Sequence, residues 1–409
     1  MRVLLINVVC GIRSTGRLCT DLAEALEAQG HEVKIAYGRE RVPQQFQKYA
    51  VRIGSDIDNK IHGLQARLMD GAGFGSKRAT RAFLEKVREF DPDVIHLHNL
   101  HGYYLNIEEL FFYLKSCGKR IIWTLHDCWA FSGHSATCDA AGCRKWISGC
   151  GHCPELGSYP KSLTDHSAAN WKRKRDAMKG VPDLSLVTPS EWLAGLTRES
   201  FLSEYPVSVI RNGIDTSRFR PVKNDFRERY GIEDKFMLLG AATSWSDRKG
   251  LADFLRLSEL LGDEYQIVLV GVTSKQKKSL PERIIGIERT DSVEELACIY
   301  SAADLYLNLS YCENYPTTNL EAMTCNTPVL TYQTGGSPES VLLHQGIVVD
   351  KGDLNAVIEA VAQYKAESSG KPELSCAGEF DKRLAARQYA AYYEGLPQPF
   401  RLIPADELI

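Results

Sequence analysis

Glu313-Asn-Tyr-Pro-Thr-Thr-Asn-Leu-Glu321 begins in a loop and ends inside a helix. Two glutamates at this spacing arise by chance in long chains, so the setting carries the reading. A hydrophobic strand, Asp304-Leu-Tyr-Leu-Asn-Leu309, runs into a polar turn. Pro316 stands where a helix begins, since a first helical residue has no use for its N–H. The amides of Thr317 and Thr318 then point outward from a helix N-terminus, which attracts phosphate. Two carboxylates beside an anion site suit a ligand with both hydroxyls and phosphates, such as a sugar nucleotide.

The same strand-and-helix alternation extends in both directions. Upstream, strands are expected at residues 3–9, 33–37, 94–98, 120–125, 184–188 and 207–210, with helices at 17–29, 78–90 and 107–117. The pattern restarts after Arg211-Asn-Gly-Ile-Asp215, with strands at 236–241, 266–271, 305–309, 329–332 and 347–349. Helices are expected there at 250–261, 293–301, 316–324, 354–364 and 381–393. Such alternation implies parallel sheets covered on both faces. The expected domains are 1–210, with a Cys-rich insert at 133–160, and 211–380. A last helix in 381–409 is placed to return to the first domain. In doubly wound sheets ligands bind at the carboxyl ends of the strands. Two facing units would hold the ligand between them.

The chain has 409 residues, 44% apolar and 25% charged, as in an ordinary soluble protein of two domains. Its net charge of −3 carries no nucleic-acid signal. No stretch approaches the roughly 20 apolar residues of a membrane span, and the first apolar run is too short for a signal peptide. A cytoplasmic protein is expected.

Three strand ends of the first unit carry chemistry. Gly11-Ile-Arg-Ser-Thr-Gly16 follows the first strand; Arg17-Leu18 stands where a P-loop needs Lys-Ser/Thr. It is either a tight turn or a loop touching phosphate, with Gly16 the residue for close approach. Trp123-Thr-Leu-His126-Asp127 leaves another strand, and His126, oriented by Asp127, is a candidate to hold a substrate hydroxyl. His96, His98 and His101 surround a third strand end, and His98 and Asn99 are read as an acceptor-side wall rather than a metal site. In the second unit, Arg248-Lys249-Gly250 opens a helix after a strand and forms a second anion site. Trp171-Lys-Arg-Lys-Arg175 is a basic run, either a solvated helix face or a contact for anionic lipid.

Four of the 12 cysteines, Cys138, Cys143, Cys150 and Cys153, fall within sixteen residues. This spacing suits tetrahedral zinc, and His134 or His152 can stand in for one ligand. Free or disulfide-linked thiols and an iron–sulfur cluster are the alternatives. The segment is rich in glycine and poor in apolar residues, so a metal would supply missing stability.

Together these pieces resemble the retaining family-4 glycosyltransferases, which have the GT-B architecture of two facing Rossmann-like domains. Glu313 to Glu321 is similar to their Glu-x7-Glu motif, Asn212-Gly-Ile-Asp215 to their interdomain segment, and Thr188-Pro-Ser190 to their strand-end turn. Thr124-Leu-His-Asp-x-Trp129 and Cys150-Gly-His-Cys-Pro154 look most like the exopolysaccharide and colanic acid types. The resemblance implies hexosyl transfer from a nucleotide-sugar donor to a lipid-linked glycan at the inner membrane face. It implies that Arg248 and Lys249 hold the donor diphosphate and that Glu321 binds the ribose. Glu313 and the backbone of Asn314, Tyr315, Thr317 and Thr318 would lie near sugar and phosphate, and His126 would face the reacting centre. No catalytic divalent metal is required in this family, since cations and a helix dipole stabilise the leaving group. Ser244 stands where many relatives have an Arg. A GT-B epimerase or phosphorylase, or an inactive zinc-stabilised partner subunit, are the competing readings.

Overall fold

Val3-Leu-Leu-Ile6 is apolar at four successive positions, as a strand buried on both faces must be. In the computed structural model, which describes residues 1–137, 140–344, 346–367 and 376–395, it lies inside a seven-stranded parallel sheet, with strands on both sides. The strands are β1 (Arg2–Asn7), β2 (Glu32–Tyr37), β3 (Ala50–Arg52), β4 (Val94–Leu97), β5 (Arg120–Thr124), β6 (Leu184–Thr188) and β7 (Val207–Val209). Their order is β3-β2-β1-β4-β5-β6-β7. Register is set by apolar residues facing each other, Val3 opposite Val33 on one side and Val94 on the other.

A second parallel sheet holds β8 (Phe236–Ala241), β9 (Tyr265–Val270), β10 (Ile284–Ile287), β11 (Leu305–Asn308), β12 (Val329–Tyr332) and β13 (Ile347–Val349). Its order, β10-β9-β8-β11-β12-β13, is that of a Rossmann sheet. In each sheet the order reverses once, between β1 and β4 and between β8 and β11, and the loops leaving those strands flank the crevice.

The helices of the first unit are α1 (Arg13–Ala28), α2 (Asp56–Met69), α3 (Lys77–Phe90), α4 (Ile107–Leu114), α5 (Ser167–Met178) and α6 (Glu191–Glu199). Those of the second are α7 (Phe226–Tyr230), α8 (Leu251–Leu260), α9 (Ser274–Ser279), α10 (Val293–Ala302), α11 (Thr317–Thr324) and α12 (Leu354–Glu367). The last helix, α13 (Lys382–Tyr393), buries Ala386, Tyr389, Ala390 and Tyr393 with Val3, Leu5 and Leu26 in the first unit's core. The compact units are Met1–Arg211 with the segment from Ala385, and Asn212–Leu384. No helix among the described residues is long and apolar enough to cross a membrane.

Some elements differ from the sequence expectation. Helix α1 starts at Arg13 instead of residue 17, so Gly16 lies in its first turn; Gly11, at φ +72°, makes the preceding turn. Pro316 is the extended N-cap of α11 (ψ 119°) rather than its first helical residue. Helices α2, α6, α7 and α9 and strands β3 and β10 are additional to that expectation. The basic run on α5 is a solvated face at Lys172 and Arg173 but not at Lys174. Lys174 is buried and donates to the Trp129 and Ser132 carbonyls at 2.6 and 3.0 Å, and Arg173 forms a two-pronged ion pair with Glu108.

Candidate active site

In the second unit, the loops leaving β8 and β11 meet at the reversal of strand order. After β8 the chain makes a 3-10 turn, Asp247–Lys249, and enters α8 through Gly250. Gly250 has φ +75°, and a Cβ there would lie 2.2 Å from the Leu309 carbonyl oxygen. Only glycine lets this turn press against the end of β11. The Tyr311 amide donates to the Arg248 carbonyl at 2.8 Å, which fastens the two loops together.

That contact brings the Lys249 ammonium onto the Glu313 carboxylate as a half-buried ion pair. Arg248 Nη1 reaches the Cys312 carbonyl at a long 3.5 Å. The expected cations are on a 3-10 turn just ahead of α8. Three residues past Glu313, the chain turns into α11, whose first amides lack intrahelical acceptors. Asn314, Thr317 and Thr318 are half-buried around this helix start. Tyr315 is different: its side chain is buried in the apolar core, and only its backbone is available to a ligand. Its carbonyl accepts from Asn212 Nδ2 at 3.4 Å.

Helix α11 is anchored by a polar residue on its buried face. Asn319 accepts from Asn308 on β11 at 2.8 Å and donates to Ser337 and Ser340 at 3.2 and 2.9 Å. Two residues on, Glu321 is 8% exposed, and its Oε2 accepts from the Tyr300 hydroxyl at 3.0 Å. Tyr300 lies on α10 and gave no signal in the sequence, because a tyrosine on the apolar face of a helix reads as core.

The first unit gathers histidines at the ends of β4 and β5. His98 Nδ1 and His126 Nε2 are 3.0 Å apart, and their rings stack at 5.3 Å between centroids. Burial pushes His126 down to about 4 and His98 well below the ordinary imidazole value, so both are neutral and one proton joins them. His98 Nε2 is buried without a hydrogen-bond partner. An orphaned N–H costs more there than an orphaned lone pair, so His98 donates through Nδ1 and His126 carries its own proton on Nδ1. His126 is then a hydrogen-bond donor at its other ring nitrogen.

Asp127 turns away from His126. Its Oδ2 meets His101 Nε2 at 2.8 Å, and its Oδ1 accepts from the Trp129 amide at 2.9 Å. Burial alone would raise this carboxyl, but the His101 ring and the amide outweigh it and hold it below the usual value. His96 is fully buried between Thr124 and Tyr393, each at 2.7 Å, and belongs to the core. Asn99 is held through its backbone: its amide donates to Asn7 Oδ1 at 3.3 Å, and its carbonyl accepts from the Tyr104 hydroxyl at 2.8 Å.

Of the cysteine cluster, Cys138 lies outside the described residues. Cys143, Cys150 and Cys153 are half-buried thiols that line one small cavity.

The sequence profile described as Glycosyltransferase Family 4 matches residues 15–218, and that of Glycosyl transferases group 1 matches residues 233–366. The two cover the two units in turn. The chain belongs to the family-4 glycosyltransferases. Across 97% of its length this glycosyltransferase is 24% identical to the glycosyl transferase WcaC of Escherichia coli K12, assigned to colanic acid biosynthesis, which it covers in full. Its fold matches sucrose-phosphate synthase of Thermosynechococcus elongatus at a TM-score of 0.71 and 18% identity, over 96% of this chain and 98% of that one. It also matches Anabaena HepE, solved with UDP, at 0.67 and 14%, over 97% and 100%. The architecture is GT-B.

Proposed function

We propose that this glycosyltransferase moves a sugar, with retention at the anomeric carbon, from a nucleoside diphosphate to a lipid-linked glycan in cell-surface polysaccharide assembly. The donor part rests on the second unit. Lys249 and Arg248 on one loop and the start of α11 on the other converge where the strand order reverses. The diphosphate takes the ammonium of Lys249 and the first amides of α11, which offset the charge that develops as the glycosyl bond breaks. Glu321, held by Tyr300, accepts from the ribose hydroxyls. Glu313 shares Lys249 with the phosphate and lies toward the sugar. His126 is the first unit's candidate to hold a substrate hydroxyl. The HepE complex with UDP, in a protein of the same fold, supports the class of donor.

The lipid part rests on α2. Ile57, Ile61, Leu64 and Leu68 recur at helical spacing, and each is between 48 and 69% exposed. Met69 and Leu163 add 60 and 64%. An apolar stripe on a short surface helix, with Lys60 and Arg67 on the same element, suits the interfacial layer of a bilayer. This stripe, and not the basic run on α5, is the surface for membrane contact, and the protein works at the cytoplasmic face.

A thermal-shift panel of UDP, GDP, ADP and their sugars tests the donor site, since ligand binding only the folded state raises its stability as RT ln(1 + [L]/Kd). One nucleoside diphosphate raising the midpoint, with the shift lost in Lys249→Ala, is expected; no shift with any of them overturns the reading. Anomer analysis of the product then tests retention. Epimerised donor formed without acceptor would place the chain among epimerases.

A further inference from the structure

The loop between the 3-10 turn Cys128–Ala130 and α5 buries little. The described part of residues 133–159 contributes two buried apolar side chains, Ala136 and Trp146. It nevertheless closes around a cavity of about 20 Å³ lined by Cys143, Cys150, Cys153 and His134, among others. One water-sized body needs roughly 10–15 Å³, so a single ion fits.

Two of these side chains, Cys150 and His134, and the backbone of Cys153 are held from outside. The Gly133 amide donates to Cys150 Sγ at 3.2 Å, and a Cβ on Gly133 would lie 2.1 Å from the Ser167 carbonyl oxygen. The Cys153 amide donates to Asp165 at 2.7 Å. His134 has a fully buried side chain whose Nδ1 meets the equally buried Asp70 carboxylate at 2.5 Å. Asp70 accepts, so Nδ1 carries the proton and Nε2 presents a lone pair. That Nε2 is buried with no hydrogen-bond partner. A carboxylate behind one imidazole nitrogen and a bare second nitrogen at a thiol-lined cavity is how metal-binding histidines are oriented.

We propose that Cys143, Cys150, Cys153 and His134 Nε2 bind one structural Zn²⁺, with Asp70 fixing the imidazole from behind. Three thiols and one imidazole make a complete tetrahedral set. Among the described residues no three such groups are already closed around one point, so binding requires the thiols to turn toward the ion. Binding displaces three thiol protons to solvent and leaves a net charge of −1 on the centre. The buried Lys174 ammonium, donating to the Ser132 carbonyl at 3.0 Å, stands beside the loop to offset it. The ion joins distant parts of the loop, whose apolar content is too small to fold it.

Metal analysis and zinc-edge X-ray absorption on the full-length protein test this without any substitution. One zinc per chain with three sulfur neighbours and one nitrogen is expected, and a Cys138→Ser variant keeps it. Protein without zinc after zinc-replete expression and reconstitution overturns the proposal. So does a four-sulfur shell, or loss of the metal in Cys138→Ser. None of these outcomes bears on the donor site, which lies in the other unit.

Discussion

Lys249 and Glu313, sixty-four residues apart in the chain, form a half-buried ion pair between the loops that leave β8 and β11. The pair holds a flexible lysine stem in place before any ligand arrives. With the proposed donor bound it would also set a competition, because a diphosphate and Glu313 both attract one ammonium.

Substitutions on the two sides therefore have opposite effects on nucleoside diphosphate binding. Lys249→Ala removes a charge-assisted contact of about 1.5–3 kcal/mol, so Kd rises by roughly 10- to 100-fold. Glu313→Gln frees the ammonium, and Kd falls or stays the same while turnover drops. Calorimetry and a transfer assay read both; equal weakening by the two variants would refute the competition.

Gly250 makes the meeting of the loops possible. Gly250→Ala forces a Cβ to 2.2 Å from the Leu309 carbonyl oxygen at a φ of +75°, so the turn carrying Arg248 and Lys249 must retreat. A destabilisation of roughly 1–3 kcal/mol is expected, with a loss of donor binding close to that of Lys249→Ala. Retained affinity would show that the turn can be displaced without harm.

Tyr300 is a positioning residue. Tyr300→Phe removes one hydrogen bond to Glu321 and keeps the ring, so Kd for the nucleoside diphosphate rises about 3- to 10-fold, in line with a net bond of about 0.5–1.5 kcal/mol. Glu321→Ala weakens binding further. If Tyr300→Phe lowers the thermal midpoint but leaves Kd untouched, the tyrosine serves the core alone.

The first unit is expected to lose stability in acid. Burial lowers His62 and His126 to about 4 and His96 to about 3, with His98 also well below its ordinary value. Unfolded histidine titrates near about 6.5, so below that pH the unfolded chain takes up protons that the folded one refuses. The stabilisation is complete above about 6.5 and is lost as pH falls toward 4, at up to about 1.4 kcal/mol per pH unit for each ring. The thermal midpoint is expected to drop steadily between pH 7 and 5. A flat profile would mean that the rings become charged in the folded state.

Helix α2 is the element proposed for membrane contact. Ile61→Asp with Leu64→Asp abolishes co-flotation with anionic vesicles and leaves donor binding intact, since both side chains are already solvent-exposed. Undiminished flotation would move the membrane contact elsewhere.

The sequence by itself carried the two parallel sheets, because strands covered on both faces must be apolar without interruption, as Val3-Leu-Leu-Ile6 is. It also carried the Glu313–Glu321 stretch with Arg248 and Lys249, since a proline entering a helix and cations after a strand are local signals. The stripe on α2 has helical spacing, but spacing does not say that it faces solvent, and the burial of Lys174 within the run on α5 depends on carbonyls it meets only in the fold. Only the tertiary structure decided which of these groups meet. The Lys249–Glu313 pair depends on a reversal of strand order, Glu321 is held by a tyrosine from another helix, and His134 is backed by Asp70 from α2's C-terminal end. Each of these contacts joins residues far apart in the chain, and spacing along a chain encodes periodicity within one element, not the partner that folding brings to it.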